Sequence, residues 1–456
     1  MIQQKQQFNK LKDFLKSKHS SHSNIEINLS YNQIGAKAAQ ELSFGLEKCI
    51  NLSILTLDLY NNQISAQGAQ YLANAITKYN NLTTFTCNLQ YNSVGNQGIS
   101  ALVNGLSKCP HLQNLTLNLQ KNSISEEGAL ELGFGLSNCP NLQNLSINLT
   151  SNRIDALSSQ NLVSELKICS KLQTLTLYLT DNQIGPNGIT KLSSYLEKCT
   201  NLQNLTLYLS QTLIGDIGTQ WLGYYLYKCN NIQVLNFSLA NNQIGNEGVL
   251  VLSQGLARCN NLQNLSLNLK RNKIDEQGAQ NLGYGLAYCT NIQNLMLQLE
   301  QNSISDEGTS GLVISLANCI NLVSLMLYLQ GNKIDNTGAS SIGYSLANCA
   351  KLSILKLYLE ENRINRQGIQ ELSSSLANYI NLSILELYLT SNKIYSVDVE
   401  IFLCSLSKSK TIKVLTIYLE YDLLGIHRFQ DIYNQNKQML RSKFLKTKRL
   451  TKLILQ

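Results

Sequence analysis

Asn51-Leu52-Ser53-Ile54-Leu55-Thr56-Leu57-Asp58-Leu59 ends in strict alternation, with Leu55, Leu57 and Leu59 apolar and Thr56 and Asp58 polar between them. The same stretch returns as Asn201-Leu202-Gln203-Asn204-Leu205-Thr206-Leu207-Tyr208-Leu209 and as Asn381-Leu382-Ser383-Ile384-Leu385-Glu386-Leu387-Tyr388-Leu389. The period is 30, unbroken by insertion or deletion from residue 21 to residue 410, and about fourteen copies fit, the last one degenerate. Self-similarity at a fixed period outweighs every other reading of a chain, because it makes one supersecondary unit the building block. The length of 456 residues then measures how many layers are stacked rather than how many domains are present.

Counting positions from residue 21, each unit is apolar at 5, 7 and 9 and mostly polar at 6 and 8, the period-2 signal of a strand with one buried face. Position 12 is Asn in twelve of the thirteen units from Asn32 to Asn392, with Thr212 the exception. An apolar residue follows at position 14 (Ile34, Ile64, Val94, Ile124), and Gly stands at position 18 in ten of the thirteen. Beyond that glycine the spacing becomes helical, as in Ala69, Leu72, Ile76 and in Ala279, Leu282, Leu286. The unit predicts a strand, a turn held by Asn, and a glycine-led helix.

The pattern Leu-x-x-Leu-x-Leu-x-Leu-x-x-Asn-x-Ile followed by a helix resembles the ribonuclease-inhibitor-like class of leucine-rich repeats over about residues 21–455. The resemblance implies an α/β fold, a right-handed α/β solenoid of horseshoe form with a parallel concave sheet and convex helices. The family's usual unit has one fewer Leu-x pair, which predicts a strand two residues longer here. Physics points the same way: strands pair about 4.8 Å apart while helices need about 8–10 Å, so stacked layers curve with the sheet inside. The organisation expected is a capping helix over 1–20, on which Phe8, Leu11, Phe14 and Leu15 share a face, a repeat array over 21–440, and a basic cap over 441–456 in which Leu450-x-x-Leu453-x-Leu455 restarts the strand motif.

Charge is concentrated at the ends. Residues 1–20 carry a net +4 and residues 437–456 a net +7, so the chain's formal +8 leaves about −3 for everything between. A body without a continuous basic stripe is a poor match for nucleic acid. The basic C-terminus reads as a solvated cap, with an acidic surface as the rival partner. No secretory segment and no run of 18 apolar residues is visible, so the expected setting is cytoplasmic, with the cytoskeleton as a place of attachment.

Chemistry has few candidates. Ten of the twelve cysteines stand at position 29, from Cys49 to Cys349, where layer spacing exceeds the roughly 7 Å Cα limit of a disulfide. No Cys-x-x-Cys or partnering His accompanies them, so neither a metal nor a cofactor is expected, and the column reads as small buried apolar residues. The four histidines are scattered and form no recognisable triad, and no catalytic residue is assigned. The informative column is position 8, on the solvent face of the sheet. It changes from Asn28, Asp58, Asn88, Asn118 and Asn148 to Tyr178 and Tyr208, and later to Tyr328, Tyr358, Tyr388 and Tyr418. Met296, Met326 and Glu386 flank it at position 6, and Glu300, Glu360 and Glu420 at position 10. Tyr suits any strand, but a switch partway along an array favours an interface, where Tyr and Met are enriched.

The function expected is therefore a non-catalytic scaffold that binds a protein partner through its concave face, at Tyr178, Tyr208, Met296, Met326, Tyr328, Tyr358, Glu360, Glu386, Tyr388 and Tyr418. The alternative implied by the resemblance is a regulator of the Ran-type GTPase-activating class, although those proteins end in an acidic tail and this chain ends in a basic one. One expectation is open to direct chemistry: a thiol-reactive dye labels few cysteines in the native protein and all twelve after denaturation. Rapid native labelling of most of them contradicts a buried column.

Overall fold

Each copy of the alternating stretch forms a five-residue strand, as at Ile54–Asp58, Thr84–Asn88 and Asn204–Tyr208, in a computed structural model that describes residues 5–164, 171–419 and 452–455. Leu55, Leu57 and Leu59 point inward and are fully buried, while Ile54, Thr56 and Asp58 on the other face are partly exposed. The ladder outlasts the strand: Leu29 N donates to Asp58 O at 2.8 Å and Tyr31 N to Tyr60 O at 2.9 Å. The extra Leu-x pair thus lengthens the hydrogen-bonded edge, while the regular strand itself stays at five residues.

The chain divides into two compact units, Met1–Ile214 and Gly215–Gln456. In the first, the strands from Gln6–Phe8 to Asn204–Tyr208 pair in chain order, all parallel, with the helices from Gly35–Leu46 to Gly185–Leu196 between them. The second unit runs from the helix Gly215–Lys228 through the strands Val234–Ser238 to Val414–Tyr418, again parallel and in chain order. Partners within the repeats are one repeat apart, as in Ile54↔Thr84 and Ile354↔Ile384, so equivalent residues of successive units stand side by side. A parallel register of this kind keeps every inward position inward, because a slip of one residue would turn the leucines to solvent.

Most of the column at position 12 lies buried where the chain leaves the strand, with Asn32 in the first repeat exposed. Asn62 Oδ1 accepts from Asn32 N (2.9 Å) and Ile34 N (3.2 Å), and its Nδ2 donates to Leu29 O (2.7 Å) and Tyr60 O (3.2 Å). Asn92 repeats the same four bonds one unit on, and Asn302 does so in the second unit. These bonds hold a strained turn: position 11 is left-handed in every unit from Tyr31 to Ser391, with φ between +52° and +66°, yet it is glycine only at Gly331. A non-glycine residue there costs about 1–2 kcal/mol, which the surrounding bonds must exceed.

Two expectations are corrected. The helices begin at about position 15 or 16, as at Ser65–Ile76 and Glu126–Ser137, so the glycine of position 18 sits inside the first turn rather than ahead of the helix. Its role is steric. A Cβ on Gly68 would stand 2.6 Å from Ile64 Cγ2 and 3.2 Å from Ala39 Cβ of the preceding helix. The N-terminal cap is also not simply a helix. Gln6–Phe8 is a strand paired with Asn24–Asn28, followed by the short helix Leu11–Leu15 that places buried Phe14 edge-on to Phe8 at 5.4 Å. A strand hydrogen-bonds the free backbone groups of a sheet edge, where a helix only shields them.

A second polar column, at position 16, was not anticipated. Asn336 Oδ1 accepts from Asn365 N and Gly368 N, both at 3.0 Å, so it caps the start of the next helix, and Asp306 does the same for Asp335 N and Gly338 N. Of the C-terminal cap, Lys452–Leu455 pairs with Val414–Tyr418, while Glu420 and the basic stretch 437–449 lie outside the described residues, as does Cys169. The described cysteines are not in disulfides; those at position 29 are buried except the half-buried Cys229, and Cys404 is exposed. Burial pushes the Cys49, Cys109 and Cys259 thiols up to about 12, which keeps them protonated and inert.

The asparagine ladder gives a stability test. Replacing Asn92 by Ala strands Asn62 N, Ile64 N and Leu59 O in a buried site, while Gln90 O keeps its bond from Asn61 N, and each stranded group costs about 1–3 kcal/mol. The expected loss is on the order of 4 kcal/mol, read from the urea-unfolding midpoint. A shift worth less than about 1 kcal/mol means that the turn is held by other contacts.

Candidate functional site

Side chains at even strand positions leave the sheet on the side away from the helices, and the one-repeat register lines them into rows. In the second unit Tyr328, Tyr358, Tyr388 and Tyr418 are register partners. Their rings stack nearly parallel, with centroids 4.0, 4.2 and 4.2 Å apart and interplanar angles of 8°, 12° and 8°. All four are partly exposed. Burial is the main cause that pushes Tyr388 up to about 12 and Tyr358 higher still. The Tyr358 and Tyr388 hydroxyls at the centre of the row therefore stay protonated near neutral pH.

Other expected site residues fall into separate groups. Tyr178 and Tyr208 form a stacked pair of their own, 4.5 Å apart at 4°, in the first unit. Ser238, Asn268 and Gln298 occupy position 8 in the three repeats before Tyr328, so the tyrosine column is two patches rather than one. Met296 and Met326 are register partners on the strands leading up to the strip, both half-buried.

The acidic flank expected from the sequence is largely committed within the protein. Glu386 pairs with its register partner Lys356 at 3.0 Å. Glu300 is buried, with Lys270 at 3.8 Å. Burial pushes the Glu300 carboxyl up and takes Glu360 to about 7, so neither behaves as an ordinary surface charge. Between them stands Gln330, and buried oxygens of all three (Glu300 Oε2, Gln330 Oε1, Glu360 Oε2) have no hydrogen-bond partner among the described residues.

Residues missed at first are Ile354, Ile384 and Val414 at position 4, half-buried on the same face as the tyrosines. The signal was present: the same position holds Asn114, Asn144, Asn204, Asn264 and Asn294 in other units. Three apolar residues in successive repeats, beside four tyrosines, make this the most apolar part of the outer sheet face in the second unit. Among the described residues no group of three His, Cys, Asp or Glu is placed to hold a metal ion.

The Leucine Rich repeat family profile matches residues 51–73, 171–193 and 228–253. No curated protein sequence matches the chain. Among solved structures, one titled "Crystal structure of Rad7 and Elc1 complex in yeast" is similar at 14% identity and a TM-score of 0.46, over 87% of this chain and 88% of that one. A likeness at that level says nothing of a shared partner.

Glu360 gives a pH test. Its carboxyl titrates higher in the fold, at about 7, than its ordinary value of 4.5, so the fold favours the protonated form. That contribution is full below about 4.5 and is lost as pH rises through 7. Glu360→Gln is expected to match the wild type at pH 4 and to exceed it at pH 8 by about 1–2 kcal/mol, measured by urea unfolding. Equal stability of the two proteins at both pH values contradicts a buried, uncharged Glu360.

Proposed function

The chain is a leucine-rich-repeat protein with the fold of an α/β solenoid, and from that premise we propose that it is a protein-interaction scaffold whose second unit captures a partner on the tyrosine strip of its outer sheet face. The observation that carries this reading is the four-ring stack Tyr328, Tyr358, Tyr388 and Tyr418. A protein surface seldom gathers four partly exposed aromatics into one row without a use, since such contiguous patches mark interaction sites. Tyrosine offers large contact area with little side-chain entropy to lose, and a hydroxyl for a directed bond.

The strip also defines what fits it. Each phenol hydroxyl on the strip can both donate to and accept from a visitor. Ile354, Ile384 and Val414 add apolar area on one side, and the Lys356–Glu386 pair supplies no net charge. A partner with scattered polar groups set in an apolar surface matches better than one relying on strong positive charge. Met326, an adaptable side chain, lies at the margin of the strip, where it can repack around a visitor.

Tyr358→Ala and Tyr388→Ala are expected to weaken partner capture, each by about 2 kcal/mol, or roughly 30-fold, with thermal stability little changed. Asn88→Ala and Asn118→Ala in the same column of the first unit serve as controls and should leave capture intact. Tyrosine variants that bind as well as the wild type, or that unfold the protein, overturn this reading.

A further inference from the structure

The helical side of the second unit carries a groove that the sheet-face reading does not use. It has a volume of about 590 Å³ and lies over three consecutive helices, Gly215–Lys228, Asn246–Leu256 and Glu276–Ala287. One wall is Tyr224 and Tyr227, the other Tyr284 and Tyr288, and the floor is Gly255 with Arg258 at its end. The groove exists because the middle helix lacks what its neighbours have. Position 24 is Tyr224, then Gln254, then Tyr284, and a Cβ on Gly255 would overlap the Gly223 carbonyl of the preceding helix. The helices approach so closely that the floor is largely backbone.

The four wall tyrosines are between 48% and 61% exposed, a cost in water that single surface residues elsewhere do not concentrate in one place. They are nonetheless ordered against each other. Trp221 braces Tyr224 edge-on at 5.6 Å, and Tyr284 and Tyr288 meet edge-on at 5.3 Å with their hydroxyls 3.1 Å apart. Aromatic walls of this kind would also suit a cation, but that place is taken. Arg258 already lies over the Tyr227 ring at 5.0 Å, and the lining contains no acidic residue to offset a second positive charge.

We propose that this groove is a second binding site, taking a proline-rich extended peptide that carries an acidic residue. Proline rings stack on tyrosine faces, and a polyproline II segment, with no internal hydrogen bonds, needs donors for its carbonyls. The tyrosine hydroxyls and the Gln254 amide supply them, and Arg258 is placed to pair with the carboxylate. Each wall spans about one helical turn, roughly 4.5–6 Å along the axis, which corresponds to about two peptide residues at about 3.1 Å each. The site thus reads a short motif, independent of the sheet face.

Fluorescence anisotropy with the full chain tests this, using three synthetic labelled peptides: repeated Pro-Pro-Asp, the same with Lys for Asp, and the same with Ala for Pro. The acidic proline-rich peptide is expected to bind at least about tenfold more tightly than either control. Tyr227→Ala and Tyr284→Ala should each weaken it about tenfold, and Arg258→Glu should reverse the preference toward the Lys peptide. Tyr358→Ala, on the opposite face, should leave this binding unchanged. Should a tyrosine variant fail to fold, the Arg258→Glu reversal still decides. The proposal is overturned by equal or tighter binding of the Lys or Ala peptide, or by no binding of the acidic one at millimolar concentration. It is equally overturned by a concentration-dependent dimer that Tyr284→Ala abolishes, since the occupant is then a second copy of the chain.

Discussion

The amide of the position-12 asparagine is the interaction on which the rest of each unit rests. Where a strand ends, the chain must turn sharply toward its helix, and position 11 adopts a left-handed conformation that most side chains resist. The neighbouring asparagine holds that turn with all the bonds its amide can make: two acceptances from the preceding unit's backbone, one donation to that unit and one to its own, as Asn62 and Asn92 show. Because each rung satisfies groups of the unit before it, one layer is not complete until the next is in place, the condition for cooperative stacking. Thr212, whose hydroxyl donates to Leu209 O, is the one residue that departs from this column among the thirteen units.

Once the turn is fixed, the helix has little freedom in where it lands. The apolar residue of position 14 and the glycine of position 18 meet the preceding helix at a distance that admits no further carbon. The position-29 column then closes the layer from the far end. Cys289 Sγ reaches Leu256 O at 3.2 Å, and where the column holds tyrosine instead, Tyr79 OH donates to the equivalent Leu46 O at 2.9 Å. Cys289 and Tyr79 thus find the same carbonyl, while Tyr379 OH donates to Gly343 O at 2.7 Å, so side chains of either kind tie the column to the preceding helix.

Function is left to positions that this scaffold does not need. On the sheet, positions 4, 6, 8 and 10 face away from the core, and a constant register turns any change in one column into a continuous surface. On the helices, position 24 is similarly free, and Tyr224, Gln254 and Tyr284 shape a groove there. The scaffold also modifies what it displays. Packing of successive units buries Glu300 and Glu360 far enough to raise both carboxyls, and places Lys356 against Glu386, so residues that read as an acidic rim in the linear sequence contribute little charge to the surface.

The sequence by itself determined the repeat, the inward leucines, the asparagine ladder, the buried cysteine column and the position of the tyrosines on the outer face. All of these follow from periodicity, which a stacked register preserves from one unit to the next. Tertiary structure decided whatever depends on distance between units: a cap that begins as a strand because a sheet edge has to be paired, glycines placed within helices because neighbouring helices nearly touch, and the second capping column at Asp306 and Asn336. It also decided that the tyrosines form a four-ring stack apart from the Tyr178–Tyr208 pair. Alternation records which way a side chain points, and only packing across layers fixes what it meets and how much water reaches it.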